Sequence, residues 1–470
     1  MIEGLKPYAD YKESGLNWLG QIPNSWETPR TKTRFRLSIE KSGVNHGKEL
    51  LSVYTHIGVR PRKDLEERGN KASSTNDYWV VRQGDIIVNK LLAWMGAVGV
   101  SHFDGVTSPA YDILRPVQKL EPDYYHLLFR TKLYLQLFKS RSRGIMDMRL
   151  RLYFDQLGQI PLICPPRDDQ AAIVRFLDHA NRKIDGFIRA KRKLIGLLNE
   201  QKQAIIHRAV TRGLDPDVPL KPSGVPWLGD IPLHWDVRQV RRATTFVTSG
   251  SRGWANFYSD DGLVFIQSGN LGRNMALNFS YTQHVRPPFG AEGERTRVHR
   301  DDILICITGA LTGNVVHVDQ ELPGQSFVNQ HVALVRVRKT NVRPRFLAFA
   351  LRSEVGQGQF KTSEYGGTKQ GLGLGDVKDV YFPLPSLTEQ DAIIEHIDSS
   401  LAVFNTAIAR TEREIALMQE YRTRLTADIV TGKLDVREAA AKLPDLPTEP
   451  TGEALTDEAL DDSETEDAEA

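Results

Sequence analysis

The stretch that decides the fold is Ser14–Trp26, which reads SGLNWLGQIPNSW, because Ser223–Trp235 repeats its pattern as SGVPWLGDIPLHW 209 residues later. Both copies keep two Trp, two Gly and an Ile-Pro pair at the same spacing. The match extends upstream, where residues 4–7 correspond to residues 213–216. Solenoid repeats have periods of roughly 20–50 residues, so a period this long indicates two copies of a whole domain.

A second repeat follows each copy of the first and is out of phase with it. Residues 165–178 correspond to residues 385–398, with Pro, Gln, Ile and Asp at matching positions, and residues 209–215 correspond to residues 429–435. The segment order is therefore A–B–A′–B′. Because the piece after the first B segment resembles the amino terminus, we expect the end of B′ to lead back to the start of A in a closed two-fold arrangement.

Each B segment predicts one long amphipathic helix. Pro precedes each segment, and Asp168-Asp169 and Thr388-Glu389 place caps and negative charge in the first turn. Apolar residues then recur at steps of mostly three and four over about 40 residues, which is heptad spacing over a length of about 60 Å. The positions expected to pack between the two helices are Ile173, Leu177, Ile184, Leu194, Leu198, Ile205, Ile393, Ile397, Phe404, Ile408, Ile415 and Leu425.

Stripes of this length need a partner, and the segment order favours an antiparallel coiled coil of the two helices with one A domain at each end. The alternative is two separate helical hairpins inside two ordinary domains. The A segments contain short β-rich runs, such as Asp85–Val88 and Asp302–Ile305, between loops rich in Gly, Ser, Thr and Asn. The predicted fold class is α+β and pseudo-two-fold, with mixed α/β domains at 1–165 and 213–385, helices at 166–212 and 386–436, and a tail at 437–470.

The composition is that of a soluble globular protein. The 470 residues are 40% hydrophobic and 26% charged. No apolar run approaches the roughly 20 residues of a membrane helix, and the first residues contain no apolar leader, so we expect a cytoplasmic protein. Cys164 and Cys306 are too few for a zinc site or a disulfide framework, and we expect both to be buried small side chains.

The charge is divided unevenly along the chain. The net charge is +2, but residues 437–470 hold twelve acidic and two basic side chains, so the preceding residues carry +12. A basic body suits a polyanionic partner, although many soluble proteins carry such an excess without binding nucleic acid. The acidic tail has little apolar surface to bury, and we expect it to be disordered.

Catalytic motifs are missing from the sequence. The Gly-rich loops lack the spacing of a phosphate-binding loop. Pro287-Pro288-Phe289 resembles a methyltransferase loop, but Arg286 before it offers only donors where an Asn or Asp oxygen is needed. Glu200-Gln201-Lys202 lies in a predicted helix, where residues two apart do not face each other, and this argues against a nuclease site. We predict that the chain is not an enzyme and binds no metal or cofactor.

Taken together, the repeated Trp-Leu-Gly-x-Ile-Pro-x-x-Trp segment, the Asp-Ile strand start and the Pro-x-x-x-x-Gln-x-x-Ile helix start resemble the specificity subunit of type I restriction–modification enzymes over residues 4–436. The resemblance implies two target recognition domains, each reading one half of a bipartite double-stranded DNA target. It also implies that the helices set the spacer and dock two methyltransferase subunits, which recruit restriction and translocase subunits. S-adenosylmethionine, ATP and Mg would then be bound by those partners.

Loops near the strand ends supply the candidate DNA contacts, since Arg, Lys, Asn and Gln can pair bidentately with purine edges. In the first domain these are Lys90, Trp94, Met95, Ser108, Tyr111, Arg141, Arg143, Arg149 and Arg151. In the second they are Arg252, Thr308, Thr312, Asn314, Asn329, Gln330, His331, Lys369 and Gln370. For each one, a structural role or plain exposure is an alternative. The four Trp of the repeats are expected to pack in the scaffold.

Two other functions compete with the specificity subunit. One is a stand-alone, non-catalytic DNA-binding or adaptor protein of the same build without methyltransferase partners. The other is a fused enzyme with its own methylation or cleavage activity, against which the missing catalytic motifs count.

Overall fold

The computed structural model describes residues 5–43, 47–55, 57–64, 77–144, 150–250, 253–272, 274–286, 291–363 and 371–444. The chain forms two compact units. Unit 1 comprises Met1–Ala190 and Glu414–Ala470, and unit 2 comprises Lys191–Arg413. The division falls within both long helices, so each unit contains part of each helix.

Unit 1 is a mixed domain built around a four-stranded antiparallel sheet. Its strands are β1 (Tyr11–Glu13), β2 (Gln21–Pro23), β3 (Phe35–Ser38), β4 (Leu51–Tyr54), β5 (Gly58–Pro61), β6 (Trp79–Val81), β7 (Ile86–Asn89), β8 (Val98–Val100), β9 (Gly105–Thr107) and β10 (Tyr111–Pro116). Its helices are α1 (Thr31–Arg34), α2 (Pro122–Phe129), α3 (Lys132–Arg141), α4 (Phe154–Leu157) and the start of α5 (Arg167–Arg212). The main sheet has the order β3-β10-β7-β8, and β1-β2, β4-β5 and β6-β9 pair separately.

Unit 2 repeats this order with a larger second sheet. Its strands are β11 (Leu220–Pro222), β12 (Asp230–Pro232), β13 (Asp236–Gln239), β14 (Thr244–Ser249), β15 (Tyr258–Ser259), β16 (Leu263–Ile266), β17 (Gln283–Val285), β18 (Ile303–Cys306), β19 (Val315–His317), β20 (Ser326–Val328), β21 (Val332–Val337) and β22 (Tyr381–Leu384). Its helices are α6 (Val240–Ala243), α7 (Ala291–Thr296), α8 (Pro344–Arg352), α9 (Glu354–Ser363), α10 (Leu374–Asp379) and the start of α11 (Leu387–Val430). The main sheet has the order β14-β21-β18-β19, and the second sheet has the order β15-β17-β16-β20.

The central strands form because their residues are apolar and buried on both faces. All four residues of β7 and of β18 are buried, and each strand lies between two antiparallel neighbours. Helices α2 and α8 then follow the last strand of each main sheet, and both begin with Pro, whose fixed φ and missing N–H suit a first helical turn. The predicted α+β fold with two similar mixed domains is confirmed.

The two cores use different side chains on this shared plan. Unit 1 contains a continuous aromatic cluster in which the ring centroids of Phe35 and Tyr125 lie 5.1 Å apart and those of Phe129 and Phe138 lie 5.6 Å apart. Unit 2 packs mainly aliphatic side chains around the buried rings of α8, α9 and β22. Burying such a ring stabilises a core by about 1.5–3 kcal/mol, so each unit has a substantial core of its own.

The long helices α5 and α11 contain 46 and 44 residues and are antiparallel, as predicted. In unit 1, Arg422 pairs with Asp185, and Ile173 and Leu177 share a core cluster with Leu425. In unit 2, Lys202 Nζ donates to Asn405 Oδ1 at 2.6 Å, while Ile206 and Val210 share a cluster with Ile393 and Ile397. In each unit, rising numbers along α5 therefore meet falling numbers along α11.

The residues predicted to pack between the helices are buried near the helix ends and less buried between them. Ile184 is buried, whereas Leu198, Ile205, Phe404, Ile408 and Ile415 are half-buried. Leu194 is 40% exposed, so its assignment to the packing stripe is wrong. The half-buried residue at this turn is Ile195, because an ideal helix has 3.6 residues per turn and drifts from a 3.5-residue heptad pattern.

The chain continues beyond α11 into a structured segment of unit 1. Asp435 N donates to Lys6 O at 2.8 Å, and Tyr11 Oη donates to Gly432 O at 3.1 Å, so the end of B′ meets the start of A as predicted. Helix α12 (Arg437–Ala441) follows, with Ala440 buried. The predicted start of the tail at 437 is thus corrected, since residues 436–443 pack against the unit-1 core. Residues 445–470 lie outside the described residues.

Two composition-based predictions can be compared with the structure directly. Cys164 and Cys306 are both buried free thiols, as expected. Among the described residues, no helix is long and apolar enough to cross a membrane.

Candidate nucleic-acid interface

An ion pair with a buried carboxylate joins the central strands of both main sheets in the same way. Arg115 Nε and Nη2 donate to the two oxygens of Asp85 at 3.0 and 2.7 Å. In unit 2, Arg336 donates to both oxygens of Asp302 at 2.8 and 2.7 Å. Bidentate pairs of this kind add geometric specificity as well as energy. The carboxylate before β7 or β18 therefore sets the register of the strand beside it.

The second Trp of each repeated segment is a scaffold residue. Trp26 Nε1 donates to Asp169 Oδ2 at 3.2 Å, and Trp235 Nε1 donates to Glu389 Oε1 at 3.1 Å. Both rings are fully buried, which confirms their predicted packing role. Trp18 is half-buried against Tyr134, whereas 48% of Trp227 is exposed.

The carboxylate of Glu389 is held in its charged form at this joint. Burial raises its pKa, but hydrogen bonds from His234, Trp235 and Ser386 outweigh burial and lower the pKa to about 2. The first turn of α11 therefore keeps a negative charge at the positive end of the helix dipole, which stabilises the start of the helix.

A buried glutamine at the start of each long helix joins that helix to its domain. Gln170 Nε2 donates to Pro165 O at 2.8 Å, and its Oε1 accepts from Glu121 N at 3.1 Å. Gln390 makes the same two bonds in unit 2, with Pro385 O at 2.9 Å and Arg343 N at 2.7 Å. The motif glutamine therefore sets the direction in which each helix leaves its domain.

Three loops meet at the end of the sheet opposite the ion pair, and we call this meeting point the junction of each unit. In unit 1, Lys90 N donates to Ala110 O at 3.2 Å, and Leu152 N donates to Lys90 O at 2.8 Å. In unit 2, Ile307 N donates to His331 O at 2.9 Å, and Leu372 N donates to Ile307 O at 2.8 Å. The unit-1 junction comprises residues 89–96, 108–111, 139–144 and 150–153, and the unit-2 junction comprises residues 306–313, 329–332 and 371–373.

The structure brings most of the predicted unit-1 contacts together at its junction. Lys90 Nζ donates to Pro109 O at 2.7 Å and lies 3.2 Å from Asp112 Oδ1. Burial raises the pKa of Asp112, and Lys90 opposes that rise. Trp94 Nε1 donates to Leu91 O at 3.0 Å, and Lys139 Nζ lies 4.7 Å from the Trp94 ring centroid. Lys90 and Trp94 thus shape the loop as well as line it.

Basic residues form the outer part of this junction. Arg143 and Arg151 form an antiparallel bridge, with both N–H···O distances 2.9 Å, and Arg143 Nη2 lies 3.1 Å from Asp155 Oδ2. Arg141 and Arg151 are exposed, and 48% of Met95 is exposed. Ser108 and Tyr111 are half-buried at the start of β10, while Arg149 lies outside the described residues.

The unit-2 junction carries a hydrogen-bonded chain of predicted contacts. Thr308 Oγ1 lies 2.5 Å from His331 Nδ1, and Gln330 Nε2 lies 3.0 Å from His331 Nε2. Thr312 Oγ1 donates to Gly309 O within the adjoining loop, at 2.6 Å. Hydroxyl, amide and imidazole groups here occupy the place that cations occupy in unit 1.

Two predicted unit-2 contacts are corrected by the structure. Asn314 is buried, and its Nδ2 donates to Leu271 O at 2.7 Å while its Oδ1 accepts from Arg352 at 3.2 Å. Asn329 is also buried, and its Oδ1 accepts from His331 N at 3.0 Å. Their amides hold loops in place and are not presented to a base. Arg252, Lys369, Gln370 and the Pro287-Pro288-Phe289 segment lie outside the described residues.

Arg130 was not predicted from the sequence. Its guanidinium donates to backbone carbonyls beneath the loop of the unit-1 junction. Its Nη1 donates to Gly96 O at 2.9 Å and to Val98 O at 3.3 Å, and its Nη2 donates to Thr55 O at 2.5 Å. Burial lowers its pKa to about 10. Arg352 stands at the corresponding helix end in unit 2 and also donates into the loop behind its junction. This repetition at the ends of α2 and α8 is the signal that could have identified it.

Known proteins resemble this chain in sequence. Residues 256–416 match the family model described as Type I restriction modification DNA specificity domain. The Type I restriction enzyme MjaVIII specificity subunit of Methanocaldococcus jannaschii is 21% identical over 436 residues, which cover 91% of this chain and 97% of that protein. The chain is thus similar to type I restriction enzyme specificity subunits, in one case over nearly its whole length.

Two further proteins match this chain, one over part of its sequence and one in its fold. The Type I restriction enzyme StySPI specificity subunit of Salmonella potsdam is 25% identical over 217 residues, which are 44% of each chain. A solved structure described as "Structural basis underlying complex assembly and conformational transition of the type I R-M system" contains a chain that matches with a TM-score of 0.62 and 15% identity. The match covers 88% of this chain and 99% of that chain, and it shows a shared fold.

Proposed function

We propose that this specificity subunit reads a bipartite double-stranded DNA target, with one unit on each half. The observation that carries the proposal is the junction, which the same backbone hydrogen bonds build in both units and which carries different side chains in each. One scaffold with two divergent surfaces suits two different half-sites. The relatives, all described as specificity subunits, support the same function.

The side chains of the two junctions suit different parts of DNA recognition. Phosphate contacts position a protein on the duplex, and contacts to base edges specify the sequence. The cations of the unit-1 junction can make both kinds of contact, since Arg and Lys bind phosphates and also the O6 and N7 atoms of guanine. The amide and hydroxyl groups of the unit-2 junction are suited to base edges.

The proposal gives the long helices the task of setting the spacer and docking two methyltransferase subunits. Apolar side chains are exposed along both helices at Leu194, Leu197, Val403 and Leu417. Those partners, and the restriction and translocase subunits that they recruit, would bind S-adenosylmethionine, ATP and Mg. This chain would act in the cytoplasm as a non-catalytic subunit. A stand-alone adaptor is not favoured.

Methylation mapping tests the proposal. The chain is co-expressed with candidate modification subunits, and methylated adenines are mapped across the genome. We expect a bipartite motif that is absent when the modification subunits are expressed alone. Methylation by this chain without partners would instead indicate an enzyme, and failure to form any complex would indicate an adaptor.

The role of the helices is tested by matched insertions. Adding one helical turn to α5 opposite one added turn in α11 lengthens the pair by about 5.4 Å. One base pair moves a half-site by about 3.4 Å and roughly 34°, so the accepted spacer should change. An unchanged spacer in the mapped motif would refute the proposed role of the helices.

A further inference from the structure

In the hydrogen-bonded chain of the unit-2 junction, the donor and the acceptor of each bond can be assigned. Gln330 Nε2 can only donate, so His331 Nε2 must accept from it at 3.0 Å. An imidazole that accepts at Nε2 carries its proton on Nδ1, which donates to Thr308 Oγ1 at 2.5 Å. Thr308 and Gln330 together therefore fix one tautomer of His331.

This arrangement uses only one of the two N–H groups of Gln330. The second N–H and Oε1 of the amide remain for another partner. That remaining edge offers one donor and one acceptor, which match N7 and N6–H₂ of adenine in the major groove. Gln330 is half-buried and His331 is exposed, so the pair lies at the surface of the junction.

The backbone beneath the pair is also fixed. His331 N donates to the buried Asn329 Oδ1 at 3.0 Å, and His331 O accepts from Ile307 N at 2.9 Å. Gly250 N donates to Asn329 O at 3.0 Å from the end of β14. A reading side chain whose rotamer and backbone are held before binding loses less entropy when it binds.

We infer that Gln330 reads an adenine in the half-site of unit 2, and that His331 and Thr308 are positioning residues that present its amide. The inference rests on the proposed function, because it assumes that this junction faces DNA. It goes further by assigning one residue, one base and one amide edge.

The test is base-analogue interference with the full chain. The probes are double-stranded oligonucleotides of the mapped target, each carrying one 7-deazaadenine, which lacks the N7 acceptor but still pairs with thymine. We expect one adenine in one half-site at which the analogue weakens binding about tenfold, within the range of a bidentate contact. Gln330→Met should weaken binding of normal DNA by a similar factor and should be insensitive to the analogue at that position.

Matched variants separate positioning from general stability. Gln283, whose Nε2 donates to His284 O at 3.0 Å in the second sheet, serves as the control, and Gln283→Met should keep the wild-type interference pattern. His331→Gln can place an acceptor where Nε2 stands and should retain interference. In His331→Asn the side-chain amide reaches only the position of Nδ1, so this variant should lose the interference. If His331 had only a structural role, the Gln and Asn variants would behave alike.

The outcomes distinguish this inference from the proposed function. If Gln330→Met remains as sensitive as the wild type, or if no adenine shows interference while the bipartite motif is still methylated, the adenine assignment is overturned and the proposed function stands. If the wild-type chain with its partners selects no target at all, both are overturned.

Discussion

The two junctions share one backbone arrangement but carry different side chains. The same two backbone hydrogen bonds join the three loops in each unit, yet unit 1 presents Lys90, Lys139 and a group of Arg side chains, while unit 2 presents Thr308, Gln330 and His331. The difference shows that the backbone of the junction and its side chains can vary independently in this fold. Mutations in the shared scaffold should therefore have matching effects in both units, and mutations in the junctions should not.

The largest expected effect tests the shared scaffold. Replacing Trp26 or Trp235 by Ala removes a fully buried ring and its indole hydrogen bond, and should lower the free energy of unfolding of the affected unit by about 3–5 kcal/mol. The measurement is urea unfolding of the full chain. Trp227→Ala is the matched control, because 48% of that ring is exposed and its loss should cost much less. If Trp227→Ala lowered the free energy of unfolding as much, burial of the ring would not explain the effect.

The ion pairs should show a smaller and slightly unequal effect. Asp85→Asn leaves the guanidinium of Arg115 in a site where its side chain is only 13% exposed, and should cost about 3 kcal/mol. Asp302→Asn should cost less, because 32% of the Arg336 side chain is exposed and water screens the remaining charge. Urea unfolding of both variants measures the difference. A larger loss in unit 2 would contradict this account.

The salt dependence of DNA binding should separate the two junctions. Arg151→Gln removes an exposed cation and should reduce the slope of log K against log salt by about 0.9 while weakening binding to all sequences alike. Gln330→Met should leave that slope unchanged and alter preference at one position. Titrations with target and scrambled DNA at several salt concentrations provide both quantities. A change of slope in the Gln330 variant would contradict the proposal that Gln330 contacts a base and not a phosphate.

The smallest expected effect concerns pH. In unit 1, His102 Nε2 lies 3.3 Å from Asp123 Oδ1, and this hydrogen bond raises the pKa of His102 against the effects of burial and Arg60. The Asp178 carboxylate of α5 lies close enough to interact with both groups, and burial raises its pKa. Because the folded pKa of His102 is raised, its contribution to stability is complete below the unfolded pKa and is lost as the pH rises through the folded pKa.

The corresponding contact in unit 2 uses an arginine and should not titrate in this range. Arg345 pairs with Asp398 of α11 and with Asp319. The urea midpoint of unit 1 should therefore fall slightly as the pH rises through the pKa of His102, and His102→Gln should remove that dependence. A pH dependence that survives in the His102 variant would assign it to another group.

Much of the fold could be predicted because the sequence repeats its own domain and helix segments. The two copies of the Trp motif marked the domains, and the offset Pro and Gln residues marked the helix starts. The exposure of Leu194 could not be predicted, since a heptad template drifts from real helix geometry over 46 residues. Helix α12 was missed because its five residues lie in an acidic context, and its burial depends on contacts with unit 1.

The candidate contacts were harder to predict than the fold. Lys90, Thr308, Gln330 and His331 were found because they follow or precede recognisable strands. Asn314 and Asn329 have the same residue type and the same kind of loop, yet both are buried as loop-holding amides. Sequence alone does not show whether a loop amide faces the backbone or the solvent, because that depends on carbonyls distant in the chain.

The buried glutamines fix the direction of each long helix at its first turn. A helix of 46 residues is about 69 Å long, so each degree of tilt at its start displaces its far end by about 1.2 Å. Gln170, with one bond to Pro165 and one to Glu121, therefore controls the course of the helix far beyond its own turn, because a small change of angle at this amide grows with distance along the helix.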